Sequence, residues 1–333
     1  MKTFINEIKE NDPIDSLFLV KEKSSGITKT GNTYLKLKLV DRSGEMEGRI
    51  WTFVETFADS FQKDDFVHVM GKAVSFQGQL QLNLTSIQRV REEEILFSDF
   101  FPMAEKDPEE MFRSLVEISD QIQNPHLNQL LRLFWEDESF VQLFKVAPAS
   151  KWLHHNYLGG LLEHTLSMVH LVLKNANHYN GLNLDLLLTA SILHDLGKVD
   201  ELSYHRSFDY SDEGRLLGHI ILGIERVEDK IRQLPDFPKD LSTLLKHLLL
   251  SHHGQHIWGS PKRPMTLEAV MLHYLDDMDA KMNGIQQFIK KQVQEGSRWS
   301  AYHRIFEQYF YVPTLSEQIE LSDKFEKNKL EEE

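Results

Sequence analysis

Apolar residues recur at every second position in short runs between residues 14 and 91. SLFLVKEKS, TYLKLKLVD, EMEGRIWTF, FVHVMGKAV and QLQLNLTSI are five such runs, and several of them alternate cleanly, which predicts half-buried strands. Turn-rich pieces (SSGITKTGN, DRSGE, FQGQ) separate them, and VETFADSFQKDD between the third and fourth has the spacing of a short helix. The pattern then changes. REEEILFSDFFPMAEKDPEE is acidic, contains proline and reads as a linker over residues 92–110. From there apolar residues recur at helical spacing in MFRSLVEISDQIQ, LNQLLRLFWEDESFVQLF, the stretch from Leu158 to Leu173, LDLLLTASILHDLG, GHIILGIERVEDKIRQL, DLSTLLKHLLLSHHG and LEAVMLHYLDDMDAKMNGIQQFIKK.

Five strands with a helix after the third is the layout of an OB-fold, a small barrel whose sheet face often binds oligonucleotides. The expected architecture is therefore a multidomain β + α chain. A five-stranded OB-fold barrel (1–91) and the linker lead into an all-α domain (111–320) and a charged tail (321–333).

Composition changes this picture little. A chain of 333 residues, 41% hydrophobic and 26% charged, is an ordinary globular protein, and no apolar stretch is long enough for a membrane span. The opening MKTFINEIKEND is charged throughout and contains no cysteine, nor does any later segment, so disulfides and thiolate ligands are excluded. The expectation is a cytoplasmic protein. Net charge is -14, unevenly spread: residues 1–91 carry 13 Lys and Arg against 12 Asp and Glu, which leaves about -15 for the remainder. An acidic surface does not exclude a nucleic-acid substrate, because bound divalent cations reverse the field locally.

Histidine is more informative, since thirteen of the sixteen lie between His154 and His273. Neutral imidazole is the commonest metal ligand. His194-Asp195 sits at the end of the apolar run SILHDLG, with Gly197 where a helix C-terminus would use it. Alone, the pair reads as an ordinary helix end. GGLLEHT places His164 early in one helix, and EGRLLGHI places His219 early in another. LLLSHHG ends a third with His252 and His253, and MLHYLDDMDAK places Asp276, Asp277 and Asp279 within a fourth.

The order H…HD…H…HH…D resembles that of the HD-domain metal-dependent phosphohydrolases, over about residues 150–285. The resemblance implies that His164, His194, Asp195 and Asp276 are core metal ligands with Asp195 bridging. His219 and the His252–His253 pair would complete a second site, and which of the two adjacent histidines ligates is left open. Asp279 would support the ligands from behind, and Asp277 would be a surface acid. Ligation by His and Asp without sulfur suits Mn, Fe, Co or Zn, so a divalent metal cofactor is expected, Mn foremost, as one ion or two. Asp195, Lys198 and Arg215 are the candidate catalytic groups. For Lys198 two readings stand: a partner for a substrate phosphate, or a helix-end lysine interacting with the dipole. His154, His155, His170, His205 and His247 fit no ligand position, and Trp135, Phe140 and Phe144 read as helix core.

On the N-terminal module, Lys36 and Lys38 alternate with Leu35, Leu37 and Leu39, so one strand face is basic and the other apolar. Arg49, Trp51 and Phe53 share a face of the next run, and Phe76 lies near the last hairpin. Aromatics beside a cationic track hold single strands. Lys36, Lys38, Arg49, Trp51 and Phe76 are thus candidate nucleic-acid contacts. Trp51 is equally readable as barrel core, and Phe53 is assigned to the core.

The joined modules are similar to the YhaM family of bacterial 3′→5′ exoribonucleases over nearly the whole chain. That resemblance implies Mn-dependent hydrolysis of single-stranded RNA, with single-stranded DNA as a further partner, releasing nucleoside 5′-monophosphates. Two rival readings are an HD phosphohydrolase acting on a nucleotide or cyclic dinucleotide with a regulatory barrel, and a non-catalytic nucleic-acid-binding factor. The acidic helices and the loop GQHIWGSPKRP are candidate contacts of a homo-oligomer.

Overall fold

The computed structural model describes residues 2–28, 30–151, 155–203, 209–292 and 297–312. Strands β1 (Pro13–Ile27), β2 (Thr33–Asp41) and β3 (Gly44–Ile50) form a meander. The short helix α1 (Val54–Ala58) leads to β4 (Phe66–Phe76) and β5 (Gln79–Arg89), and the sheet closes as a barrel in the order β1-β2-β3-β5-β4. The β3–β5 pairing is the parallel one. Alternation decides which face is which: Leu35, Leu37 and Leu39 are buried with Phe18, Val20, Ile50, Val67, Val69 and Leu82, while Lys36 and Lys38 face outward.

Residues 92–107 are more than a connection. Ile95, Phe100 and Phe101 are buried in the same apolar cluster as Leu19 and Phe66 of the barrel and the helical core. The Phe66 ring meets those of Phe100 and Phe97 edge-on, at 4.8 and 5.8 Å. The expected linker is thus a packed seam, because Ile95, Phe97, Phe100 and Phe101 pack into the core and outweigh its acidic side chains. Helical structure begins at Pro108, three residues before the expected boundary.

The helical part contains α2 (Pro108–Ser119), α3 (Pro125–Trp135), α4 (Glu138–Val146), α5 (Gly160–Asn175) and α6 (Leu184–Leu193). A single turn α7 (Lys198–Glu201) leads into a two-stranded ribbon, β6 (Leu202–Ser203) with β7 (Asp209–Tyr210). Then follow α8 (Asp212–Leu216), α9 (Gly218–Ile231), α10 (Lys239–Ser251) and the long α11 (Leu267–Gln292). Asp107, Asn124, Asp137, Asn183 and Ser211 cap α2, α3, α4, α6 and α8 through side-chain acceptors. The cap at Asp137, which accepts from Phe140 N–H at 3.1 Å, breaks what the sequence pattern reads as one helix into α3 and α4.

Helix α6 is buried on every side from Leu186 to Leu193, so it is the central helix and carries no polar face. Phe140 and Phe144 are core and Trp135 packs against it. The expected tail and the C-terminal part of the expected helical domain, 313–333, lie outside the described residues. Among the described residues no helix is long and apolar enough to cross a membrane.

Candidate metal centre and nucleic-acid surface

Five elements deliver the histidines and aspartates to one point. His164 comes from α5, His194 and Asp195 from the turn ending α6, His219 from α9, His252 and His253 from the end of α10, and Asp276 from α11. The close approach has a backbone requirement at Gly197. A Cβ there would lie 2.1 Å from the His219 carbonyl oxygen, and φ is -67°, so the glycine serves helix contact rather than the helix C-terminus read from sequence.

Two groups of donor atoms result. In the first, His164 Nε2 lies 3.2 Å from His194 Nε2, 3.3 Å from Asp276 Oδ1 and 3.6 Å from Asp195 Oδ2. In the second, Asp195 Oδ1 lies 3.5 Å from His219 Nε2 and 3.6 Å from His252 Nε2, and the His219, His252 and His253 ligand atoms lie within 4.8 Å of one another. Donors held at about 2.1 Å from a shared cation stand roughly 3.0–3.4 Å apart in octahedral or tetrahedral arrangements. The separations measured from His164 Nε2 and from Asp195 Oδ1 are within a few tenths of an ångström of that range, while His194 Nε2 and Asp276 Oδ1 stand 3.8 Å apart.

Every candidate ligand imidazole has its Nδ1 proton committed elsewhere. His164 donates to Asp279 Oδ2 (2.8 Å), His194 to Ser191 O (2.9 Å) and His219 to Glu201 Oε1 (3.0 Å). His252 donates to Leu249 O (2.7 Å) and His253 to Trp258 O (2.9 Å). These bonds select one tautomer and turn each Nε2 lone pair inward. Asp195 Oδ1, His219 Nε2 and His252 Nε2 are buried without a hydrogen-bond partner. An orphaned buried acceptor costs about 1–3 kcal/mol, and a divalent cation satisfies all three at once. The residues present therefore fit the metal that the HD resemblance implies.

The electrostatics agree with a ligand set. Burial opposes ionisation of Asp195, but Lys198, His194 and His219 offset it and hold the carboxyl well below the usual range. Asp276 is likewise held down, by His164 and His194 against its burial. Burial, with the neighbouring His253, pushes His252 well below the usual histidine range, so it is neutral and able to ligate. His164 is pushed up to about 9: burial acts against its charge, but Asp276 and Asp279 more than compensate. A cation would displace that proton.

Lys198 does not stand at the helix C-terminus that the dipole reading needs, and its partner is Asp195. It opens α7, at the end of a helix where the dipole disfavours a cation, and its buried ammonium contacts Asp195 Oδ2 at 2.5 Å. Arg215 bonds Asp209 Oδ1 at 2.8 Å, an oxygen shared with Lys151. Asp277 is a surface acid paired with Lys281. Asp279 stands behind His164 and accepts also from Ser167 and from His155 Nε2 (3.2 Å).

Sequence reasoning missed the supporting partners Glu201, His155 and Tyr157. Glu201 accepts from both the main-chain N–H and the ring of His219, each at 3.0 Å. Tyr157 bonds His155 Nδ1 (2.9 Å) and Glu163 (2.6 Å). Glu201 and His155 carry no local signal, since their partners His219 and Asp279 lie 18 and 124 residues away, and Tyr157 acts through His155. His247 is structural, accepting from Met265 N–H, while His154 and His205 lie outside the described residues.

On the barrel, the expected cationic track is internally neutralised. Lys36 pairs with Glu47 (2.9 Å), Lys38 with Glu45 (2.6 Å) and Arg49 with Glu47 (2.6 Å). The aromatics are the more open feature. Trp51 is 40% exposed, stacks on Tyr34 at 4.8 Å and donates to Asn83 Oδ1 (3.1 Å), so it is not barrel core. Phe76 is 49% exposed, and the Arg49 guanidinium lies 5.4–5.7 Å from the Phe76, Trp51 and Tyr34 rings. Phe53 overturns its core assignment. It is 74% exposed because β3 stops at Ile50 and the chain turns left-handed at Phe53 (φ 56°) to start α1. Tyr34 was legible, being two residues from Lys36 on the same strand face.

Residues 161–281 match the HD domain family and residues 19–90 match an OB-fold nucleic acid binding domain. The chain is similar to the 3'-5' exoribonuclease YhaM of Geobacillus sp. (strain WCH70), at 35% identity over 92% of this chain and 93% of that one. It is similar also to 3'-5' exoribonuclease YhaM of Bacillus subtilis (strain 168), at 34% identity over 93% of this chain and 98% of that one. At this identity over nine-tenths of its length, the chain belongs to the YhaM family of 3'-5' exoribonucleases.

Proposed function

We propose that this chain is a metal-dependent hydrolase that shortens single-stranded RNA from its 3′ end to nucleoside 5′-monophosphates. The observation that carries the reading is the convergence of three orphaned buried atoms, Asp195 Oδ1, His219 Nε2 and His252 Nε2, in a chain that also bears an OB barrel with an open aromatic face. His164, His194 and Asp276 would hold one divalent ion and His219, His252 and His253 a second, with one Asp195 oxygen toward each. Both members of the adjacent histidine pair are thereby used. When bound, the ions supply Lewis-acid stabilisation of charge on a phosphoryl oxygen.

The remaining roles belong to the chain. Lys198 keeps Asp195 ionised and oriented; it acts through that carboxylate rather than reaching for substrate. The Nδ1 anchors hold the imidazoles so that no reorganisation accompanies binding. Tyr34, Trp51 and Phe76 stack bases on the barrel, with Arg49 set among them and Lys36 and Lys38 at the rim. Mn is our choice of metal, from a donor set that Fe, Co and Zn also suit. Single-stranded DNA is a second substrate on this reading, because stacking does not sense the 2′-hydroxyl.

The test is product analysis on 5′-labelled single-stranded RNA with Mn, with and without chelator, beside a panel of nucleotides and cyclic dinucleotides. A ladder shortening from the 3′ end, lost with chelator and in Asp195→Asn, is expected. Nucleotide turnover with intact RNA would overturn the proposal.

A further inference from the structure

The loop that follows α10 touches the metal centre, and beyond the Trp258 carbonyl none of its groups has a role in holding the ligands. The Trp258 carbonyl accepts the Nδ1 proton of His253, so the loop and a candidate ligand share a hydrogen bond. The loop is firmly tied. Trp258 N–H bonds Gln255 O (3.0 Å), Gly259 N–H bonds His256 O (3.0 Å), and the buried Ser260 hydroxyl lies 2.9 Å from Leu250 O and 2.6 Å from Lys262 O. Yet this rigid loop presents Ile257 at 87% and Trp258 at 55% exposure. The Trp258 ring rests against that of His273, at 6.0 Å between centroids, and His273 in turn bonds the His252 carbonyl (2.8 Å). A fixed aromatic beside a reaction centre loses little freedom when a ligand stacks on it. Lys262 and Arg263, next in the chain, are exposed and have no ion-pair partner among the described residues, unlike Lys36, Lys38 and Arg49 of the barrel.

We propose that Trp258, with Lys262 and Arg263, seats the 3′-terminal nucleotides of a single-stranded polynucleotide at the metal centre. Trp258 stacks a base and the two cations take the adjoining phosphates. The inference rests on the exoribonuclease reading and deepens it: the barrel holds the strand, and this loop positions its end. His253 is held by the main-chain carbonyl of Trp258, not by its ring, so the ring can be removed without releasing the ligand.

The experiment uses the full chain loaded with Mn, as wild type, Trp258→Ala, Trp258→Phe and the double variant Lys262→Ala/Arg263→Ala. Kinetics are measured on a single-stranded RNA of about 20 nucleotides and on a trinucleotide. Binding of the same strands, fluorescein-labelled at the 5′ end, is followed by anisotropy in calcium, and metal content by equilibrium dialysis. Removing one stacked base is expected to raise KM and Kd by about tenfold in Trp258→Ala, with kcat and ions per chain unchanged and Phe restoring most of the loss. The double variant should flatten the dependence of log KM on log salt by roughly 0.7 per lost phosphate contact.

Unchanged KM and Kd in Trp258→Ala overturn the seat, as does a fall in kcat that tracks loss of metal, or a changed oligomeric state with unaltered RNA binding. A wild-type protein that binds RNA without shortening it overturns the exonuclease reading instead. The anisotropy series then still decides the seat.

Discussion

Glu201 offers the sharpest test of how the second half of the metal centre is held. One of its oxygens, Oε1, accepts from the His219 main-chain N–H and from the His219 ring, both at 3.0 Å. The acid is charged in this setting: burial opposes ionisation, but the His219 bonds offset it and hold the carboxyl below its usual range. A hydrogen bond to a charged group contributes about 1.5–3 kcal/mol. Glu201→Ala removes the ring bond and frees His219 to rotate or to present the wrong tautomer. Metal affinity at the His219/His252/His253 position should fall by about 10- to 100-fold, the usual consequence of losing a ligand's supporting partner. Glu201→Gln keeps an uncharged acceptor of the same shape and should lose about tenfold or less. The other position is anchored through Asp279, Ser191 and the α11 aspartates, so it should keep its ion. Equilibrium dialysis against Mn, with metal counted per chain, is the assay, and circular dichroism confirms the fold. If Glu201→Ala retains the wild-type number of ions at wild-type affinity, the carboxylate does not hold His219 for metal. If both ions are lost together, the two positions are not separately supported.

Other expectations follow from the same geometry. Trp51→Ala should weaken single-strand binding by about 1–3 kcal/mol by anisotropy with little change in urea midpoint, since the ring is 40% exposed; unfolding instead would return it to the core. Gly197→Ala should destabilise the helical domain by about 1–3 kcal/mol and reduce metal content, because the new Cβ would fall 2.1 Å from the His219 carbonyl oxygen. A variant of wild-type stability would show that α9 can shift freely. Asp137→Ala should cost about 1–2 kcal/mol in urea unfolding through loss of the α4 cap. Lys230 foremost, then Ser139 and the Phe140 N–H, hold the Asp137 carboxyl below its usual range. Its contribution is therefore complete above the unfolded carboxylate value of about 3.9 and is lost as pH falls from there through the folded value. The wild-type–variant difference should be flat from about pH 5 to 8 and shrink below about pH 4; a difference that grows with acidity would contradict the assignment.

Much of the fold was legible because it depends on local periodicity. The alternation of Leu35, Leu37 and Leu39 with Lys36 and Lys38 named both the strand and its inner face, and helical spacing located α5, α9, α10 and α11 close to their observed limits. The ligand types were legible too, as polar residues recurring in order within otherwise apolar helices. Other features depend on what a side chain meets. Phe53 looked like core by its place in an alternating run, but the strand ends before it. Lys36, Lys38 and Arg49 read as a bare basic track, whereas β3 sets Glu45 and Glu47 against them. The segment 92–110 read as a linker because charge dominates its composition, while its few large apolar groups dominate its packing.

The metal centre divides in the same way. By itself the sequence determined which residues have lone pairs to offer, and on which helices, because chemistry and spacing are properties of the chain. Only the tertiary structure decided that Lys198 turns to Asp195 and that Arg215 pairs with Asp209. It also decided that Glu201, 18 residues before His219, and Asp279, 115 residues after His164, fix those rings. Hydrogen bonds act over about 3 Å whatever the separation along the chain. Which tautomer each histidine takes, and so where its lone pair points, is therefore set by packing and not by sequence order.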